Sequence, residues 1–418
     1  MSKFTYNQAV EEASKCLLCY DAPCSNGCPA NTNPSKFIRS IRFNNLKGSA
    51  KTIRTNNILG GICARVCPYD QLCQENCIRA EIDESIKIGK LQEFVCDYEK
   101  EHNLKVLEPV ELEKEKIAII GSGPAGLAAA GELALSGYKV KVFEKRSLVG
   151  GWLNYGIPAS KLPQKIVNEE INYIRDLGVE FETNCEVGKD ISLDELKERG
   201  YKVFLMALGK PNPKVLDLEG SQLDGVTDAV SFLSESKTKP EKFDVKNKKI
   251  VIIGGGDVAI DCAITAKENK AAKVNIVCIE TLAEIPCTEK ELHKAYNKNV
   301  NVFAGFKPEA IKGENKVERF TAVSVEDNST LELECENIIF AVGQKSDDVK
   351  KIEDLKLDQD GFIKTDENLK TNKKNIFAAG DIIKTDNTVV NAIADGKEVA
   401  ENIINYIINK KEKEQVRI

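Results

Sequence analysis

The chain has 418 residues but only two histidines, His102 and His293. Both sit in polar surroundings, and neither is assigned a role. No apolar run approaches the ~18 residues that span a bilayer, so no membrane-spanning helix is expected. The opening MSKFTYNQAVEEASK lacks the apolar core of a secretion signal, so secretion is not expected. Positive charge is not in excess either. The net charge is −6, which gives nucleic acid no footing. These absences point to a soluble, cytoplasmic protein. Apolar content of 42% and charged content of 30% are ordinary for one, and the length allows two or three domains.

Sulfur is what the chain has in abundance. A cytoplasmic protein with 14 cysteines is a poor candidate for structural disulfides, which leaves metal ligation, catalysis or burial. Eight fall in the first 77 residues. Cys16, Cys19, Cys24 and Cys28 are spaced C-x2-C-x4-C-x3-C; Cys63, Cys67, Cys73 and Cys77 are spaced C-x3-C-x5-C-x3-C. The other six (Cys96, Cys185, Cys262, Cys278, Cys287, Cys335) are scattered and read as small buried hydrophobes.

Residues 1–110 read as helical and irregular. PSKFIRSIRFNN sets Phe37, Ile38 and Ile41 at helical spacing, and HNLKVLEPVELEKEK reads as a linker. The texture then changes. KIAII, GSGPAG, the helical LAAAGELALSG and the strand KVKVFEK make a βαβ unit. Gly121, Gly123 and Gly126 hold the G-x-G-x-x-G spacing around Ser122, Pro124 and Ala125. The first glycine permits the turn, the second lets backbone approach a pyrophosphate, and the third lets helix pack on strand. Glu144 ends the next strand, where a carboxylate can accept from ribose hydroxyls.

The same grammar returns in KKIVIIGGGDVAIDCAITAKENKAAKVNIVCIE, with Gly254, Gly256, Asp257, Val258 and, in the third glycine place, Ala259. Its second strand is expected to end at Glu280. An acid there favours a free ribose 2′-hydroxyl and repels a 2′-phosphate, so NADH is expected over NADPH. Two dinucleotide folds in one chain suggest one resident FAD and one exchanging nicotinamide. MALG (Met206 to Gly209) and AVG (Ala341 to Gly343) mark the crossings between them. The last segment supplies a strand, the turn at Gly380 and Asp381, and a helix starting near Asn387. Asp381 is expected at the ribityl and pyrophosphate of the flavin.

Many such flavoproteins reduce a disulfide, but KRSLVGGWLNYGIPASKLP contains no cysteine and Cys262 has no near partner. The electrons must leave through the opening cysteines. Clustered cysteines in turns suit iron–sulfur clusters. Zinc competes, but a four-cysteine zinc site usually shows two C-x2-C knuckles and only one is present. Eight thiols suggest two clusters; the spacing leaves open which thiol serves which.

EEASKCLLCYDAPCSNGCPANTNPSKFIRSIRFNN, GGICARVCPYDQLCQENC and IKIGKLQEF together resemble the N-terminal part of dihydropyrimidine dehydrogenases. The nucleotide domains resemble the same family and, more broadly, glutamate synthase small subunits. The resemblance is nearest to the NADH-oxidising subunit of the bacterial two-subunit enzyme. It implies an electron path from NADH through FAD and two [4Fe-4S] clusters to an FMN barrel on a partner subunit that reduces uracil or thymine. It assigns Cys16, Cys19, Cys24 and distant Cys77 to one cluster. Cys28, Cys67, Cys73 and Gln92 go to the other, leaving Cys63 spare. Read from the residues alone, Gln92 is an ordinary helix-surface residue.

For FAD the resemblance implies Ser122 to Ala125, Glu144, Gly151, Trp152, Lys161, Val187 and 381–389, which includes Asn387, Thr388 and Val389. Lys161 is the cation that could stabilise reduced flavin, where arginine is common among relatives. For NAD(H) it implies Gly256 to Ala259 and Ala341, Val342 and Gly343. Ile279 and Glu280 replace the basic pair of NADPH users.

The expected fold is α/β: an α-helical iron–sulfur domain (1–110), then two Rossmann-like domains. The NAD domain (223–343) is inserted between the FAD-binding halves (111–222 and 344–418). A barrel of ~250 residues has no room after the flavin helix, so a separate FMN-containing subunit is expected. The competing readings are a glutamate synthase small subunit and a redox sensor without turnover.

Overall fold

The structure is a computed structural model and describes residues 3–346, 349, 352–383 and 387–415. The chain forms two compact units. One comprises Met1–Leu153, Lys161–Gly209 and Asp348–Ile418; the other comprises Asn154–Ser160 and Lys210–Asp347.

The first unit opens with six helices: α1 (Tyr6–Ser14), α2 (Pro23–Asn26), α3 (Pro34–Arg42), α4 (Leu46–Asn56), α5 (Gly60–Val66) and α6 (Ile88–Glu101). Their starts are written locally. Thr5 and Gln8 form a capping box, and the side chains of Asn33 and Asn45 accept from the backbone N–H of Lys36 and Gly48. Phe37, Ile38 and Ile41 are buried as their spacing predicts, packing with Ala50, Ile53, Leu91 and Val95. The linker has no regular structure before β1.

A parallel sheet of order β15-β4-β1-β2-β3 follows. Its strands are β1 (Lys116–Ile120), β2 (Lys139–Glu144), β3 (Glu180–Thr183), β4 (Tyr201–Met206) and β15 (Ile376–Ala378). Strands covered on both faces read as continuous apolar runs, which is why KIAII shows no alternation. β15 comes from chain that follows the second unit in sequence. Helices α7 (Pro124–Leu135), α8 (Trp152–Tyr155), α9 (Gln164–Asp176), α10 (Leu193–Glu198) and α14 (Val389–Gln415) complete this part. A Cβ on Gly396 would lie 2.3 Å from the Ala125 carbonyl oxygen, so α14 approaches α7 as closely as it does because position 396 has no side chain.

The second unit repeats the plan with sheet order β6-β13-β7-β8-β9. Its strands are β6 (Val226–Asp228), β7 (Lys249–Ile253), β8 (Lys273–Val277), β9 (Asn301–Phe303) and β13 (Asn337–Phe340), with α11 (Ala229–Thr238), α12 (Asp257–Glu268) and α13 (Glu289–Asn297). An antiparallel sheet, β10 (Phe306–Lys312), β11 (Arg319–Ser324) and β12 (Thr330–Glu334), packs onto it through Phe320, Ala322 and Leu333. β5 (Asn212–Pro213) pairs with β14 (Gln344–Lys345), tying the entry of the unit to its exit.

Two sequence expectations need correction. β8 stops at Val277, not Glu280, although the backbone keeps bonding: Gly305 N–H donates to the Glu280 carbonyl at 2.7 Å. Gln92 is not a surface residue, being only 8% exposed. All six scattered cysteines are buried. Among the described residues no helix is long and apolar enough to cross a membrane.

Candidate functional site

The first glycine loop carries β1 into α7. Gly121 has φ +104°, and a Cβ there would lie 2.4 Å from the Ala207 carbonyl oxygen. A Cβ on Gly123 would meet nothing within 4 Å, so the backbone is open where a pyrophosphate would approach. Gly123 is the N-cap of α7, Pro124 follows, and no side chain caps the helix. Its first N–H groups are therefore free for an anion, with the helix dipole favouring one.

Glu144 braces this loop. Its carboxylate accepts from Ser122 N–H at 3.1 Å, from Ser122 Oγ, and from Arg146 N–H at 2.9 Å. Ser122 Oγ in turn accepts from Gly150 N–H at 2.9 Å. Gly151 then passes over the loop, where an added Cβ would come 2.9 Å from Gly123 Cα. Gly380 sits on the same helix start, its missing Cβ 2.8 Å from that of Ala125, and its N–H donates to Asp395 at 3.2 Å. Thr388 Oγ1 accepts from Asn391 N–H at 3.2 Å at the head of α14, which begins at Val389. Val187 is buried beside the sheet, and Trp152, Lys161 and Asp381 are half-buried.

The second loop has the same construction. Gly254, at φ +129°, would drive a Cβ to 2.4 Å from the Ala341 carbonyl oxygen, which brings Ala341, Val342 and Gly343 beside it. Gly256 is open, α12 has no side-chain cap, and Ala259 is fully buried. Asp257 is partly committed elsewhere: it accepts from Thr288 N–H at 3.0 Å, at the start of α13. Val258 packs on the core and Glu280 is half-exposed.

The cysteines regroup in three dimensions. Cys16, Cys19 and Cys24 line one pocket together with Cys77, from the other end of the run, and not with Cys28. Leu17, Ile38, Ile86 and Ile88 supply its apolar wall. Burial pushes the Cys24 thiol up to about 11, and the charges of Cys16, Cys77 and Cys19 add to the shift. Cys28, Cys67 and Cys73 do not line that pocket, and Cys73 packs on the same apolar core as Cys16, Cys24 and Cys77. Burial pushes Cys73 up to about 12 with Cys28 contributing, and raises Cys67 with Cys63, Cys73 and Cys28 contributing. Gln92 reaches α5, where its Nε2 donates to the Gly60 carbonyl at 2.8 Å and leaves the amide oxygen for another partner. Cys63 is buried and pushed up to about 12, against the pull of a hydrogen bond from Asn57.

Four thiols on one pocket, two uncapped helix starts and two open glycines fit iron–sulfur and dinucleotide groups in donor chemistry and in space. Among the described residues no three His, Cys, Asp or Glu side chains stand where a single ion could hold them.

The family pattern for dihydropyrimidine dehydrogenase domain II, 4Fe-4S cluster, matches residues 1–104, and that for pyridine nucleotide-disulphide oxidoreductase matches 115–396. The NAD-dependent dihydropyrimidine dehydrogenase subunit PreT of Salmonella typhimurium is 46% identical over 341 residues, 82% of this chain and 81% of that protein. The PreT subunit of Escherichia coli K12 is 44% identical over 82% of this chain and 81% of its own length. This chain belongs to the PreT family. A glutamate synthase [NADPH] small chain from Azospirillum brasilense is more distant, 30% identical over 78% of this chain and 70% of its own.

Among solved structures, FprA of Mycobacterium tuberculosis (His57Gln mutant) superposes with TM-score 0.61 at 20% identity, over 72% of this chain and 86% of that one. Thioredoxin reductase of Lactococcus lactis gives 0.59 at 24%, over 71% of this chain and all of that one. These neighbours share the fold of flavin and nicotinamide reductases. The PreT-family chain holds no disulfide among its described residues, and Cys262 is sealed in a core. It is an oxidoreductase whose cofactors are FAD, NAD(H) and [4Fe-4S] clusters.

Sequence reading missed a charged cluster joining the two halves of the first unit. Arg54 on α4 is 1% exposed, and Glu170 on α9 is fully buried. The guanidinium meets the carboxylate in a fork, 2.8 and 2.9 Å, and its Nε donates to Glu99 at 2.8 Å. Glu170 also accepts from Gly61 N–H at the head of α5 at 3.1 Å and pairs with Lys100 at 2.8 Å. The signal was legible: Glu170 falls on the stripe of Val167, Ile171 and Ile174, where a lone carboxylate demands a partner.

Proposed function

We propose that this PreT-family chain is the electron-input subunit of a dihydropyrimidine dehydrogenase, delivering electrons from NADH to an FMN-containing partner that reduces uracil or thymine to the 5,6-dihydropyrimidine. The observation that carries it is the pocket joining Cys16, Cys19, Cys24 and Cys77. An arrangement that draws in the distant Cys77 supports a cluster and is not what two separate four-cysteine knuckles would build.

When bound, FAD accepts hydride from NADH and the two [4Fe-4S] clusters carry the electrons onward singly. The chain's own residues do the holding. The free N–H groups of α7 and the open face of Gly123 bind the flavin pyrophosphate, and Glu144 fixes the loop. Those of α12, with Gly256 and Ala341 to Gly343, do the same for NADH, and Glu280 selects against a 2′-phosphate. Lys161 is the cation placed to favour the reduced ring. Gln92, with Cys28, Cys67 and Cys73, holds the second cluster. In functional parts, 1–110 carries the clusters, 111–222 with 344–418 the FAD, and an inserted 223–343 the nicotinamide. Tyr20, Leu17 and Ile78 are exposed beside the first pocket and offer the partner an apolar rim. Fourteen cysteines, none paired among those described, suit the cytoplasm.

The glutamate synthase reading has the weaker support, at 30% identity against 46%. The test mixes the purified chain with NADH, uracil and a viologen dye. Dye reduction without dihydrouracil is expected. Dihydrouracil made by this chain alone overturns the division of labour, and failure of NADH to bleach the flavin overturns the enzymatic reading.

A further inference from the structure

Lys397 lies on α14, two turns below the end that faces the flavin loop. It is not among the residues the sequence pattern singles out. Its Nζ donates to the Ala30 carbonyl at 2.6 Å and to the Asn56 carbonyl at 2.5 Å. Both acceptors belong to the cysteine-rich half. Ala30 sits in the turn that follows Cys28, closed by Asn31 N–H donating to the Cys28 carbonyl at 2.9 Å. Asn56 ends α4, just before the turn into α5 and its Cys63 and Cys67.

The ammonium cannot drift. Its neighbour Gly396 is locked against Ala125 and Ala128 of α7, so the backbone that presents Lys397 is held on the flavin side while its head is held on the cysteine side. Lys397 is half-buried. Burial pulls the lysine pKa down, and the charges of Glu132 and Cys28 oppose that pull. The Ala30 carbonyl that holds the ammonium lies two residues beyond Cys28, and the carbonyls it binds carry no formal charge.

We propose that Lys397 is a positioning residue that sets the reduction potential of the cluster held at Cys28, Cys67, Cys73 and Gln92, making that cluster easier to reduce than it would be without the lysine. This rests on the proposed ligand assignment. The physical reason is direct. Adding one electron makes a cluster more negative, and a fixed cation in a low-dielectric setting stabilises the added charge. The first cluster site has its own cations, Arg79 in its lining and Arg42, whose Nη1 donates to the Cys16 carbonyl at 3.4 Å, so the effect of Lys397 is confined to the second site.

The experiment is an anaerobic redox titration followed by electron paramagnetic resonance on the full-length holoprotein, comparing wild type, K397M and K397R. Iron and sulfide are counted in each. In K397M the one-electron equilibrium of one cluster should shift about tenfold toward the oxidised form, about 59 mV. The other cluster should not move. K397R keeps the charge and should titrate like wild type. Two unmoved midpoints in a K397M protein that retains full iron and sulfide overturn the proposal while leaving the cluster assignment standing. If K397M does not hold its clusters, K397R decides: a wild-type midpoint supports the role of charge, and a shifted one overturns it. A wild-type protein without iron and sulfide overturns the ligand assignment and this inference together.

Discussion

Replacing Glu170 with glutamine should loosen the first unit more than any single exposed change. The side chain is fully buried, and its carboxylate takes both arms of Arg54, the ammonium of Lys100 and the Gly61 N–H. Arg54 is itself sealed, its guanidinium 4.5 Å above the Tyr173 ring. In E170Q the shape survives but the charge goes, leaving Arg54 with Glu99 and Lys100 with Glu169, 3.3 Å away. Breaking one partner of a buried pair costs about 3–5 kcal/mol. The titration gives a similar figure. Burial pushes Glu170 up, but Arg54 and Lys100 outweigh it and hold the carboxyl at about 2, against an ordinary 4.5. At about 1.4 kcal/mol per pH unit that difference is roughly 3 kcal/mol.

The assay is urea unfolding at pH 7, followed by the visible absorbance of the clusters. Two units need not unfold together, so the signal should report the first unit alone. A loss of about 3 kcal/mol in E170Q is expected. A double replacement of Arg54 and Glu170 by apolar residues should recover part of it, since a well-packed apolar pair can replace a buried ion pair. The sign of the pH dependence follows from the depressed carboxyl. Its contribution is complete above the unfolded value of 4.5 and is lost as pH falls toward about 2. Glu99 runs the other way, because burial raises its carboxyl above the ordinary value despite Arg54. The acid limb between those values should therefore be steeper in wild type than in E170Q. A loss below about 1 kcal/mol with matching acid limbs would refute the idea that this cluster fastens α5 to α9.

Two further outcomes can be checked at the cofactor sites. C77S should lose one cluster and keep the other, although Cys77 lies far in sequence from Cys16, Cys19 and Cys24; iron and sulfide counts unchanged from wild type would dismantle the interleaved assignment. E280R should raise the kcat/KM ratio for NADPH over NADH by on the order of tenfold, about 1.4 kcal/mol, by trading repulsion of a 2′-phosphate for attraction; an unmoved ratio means that Glu280 is only a solvated loop acid.

Much of the redox chain is local and so could be read in order. A glycine loop needs its turn, its open backbone and its helix start within a few residues, so Gly121 to Gly126 and Gly254 to Ala259 announce themselves. Alternation in TLELE was equally local, yet the antiparallel sheet of β10 to β12 went unread between β9 and β13 of the second parallel sheet. Burial of Gln92 could not be seen because a helix face is defined by what packs on it, and here that is α5, far back in the chain.

From the sequence alone came the two nucleotide folds and the sulfur-rich front, because each depends on residues next to one another. Spacing left the partners of Cys77 open and only the family resemblance put it with Cys16; only the tertiary structure closed Glu170 over Arg54 and carried the head of Lys397 to the turn beyond Cys28. Those contacts join segments that are remote along the chain. Their energy comes from ion pairs and hydrogen bonds that offset the cost of taking charges out of water, and no local pattern records which remote group supplies the partner.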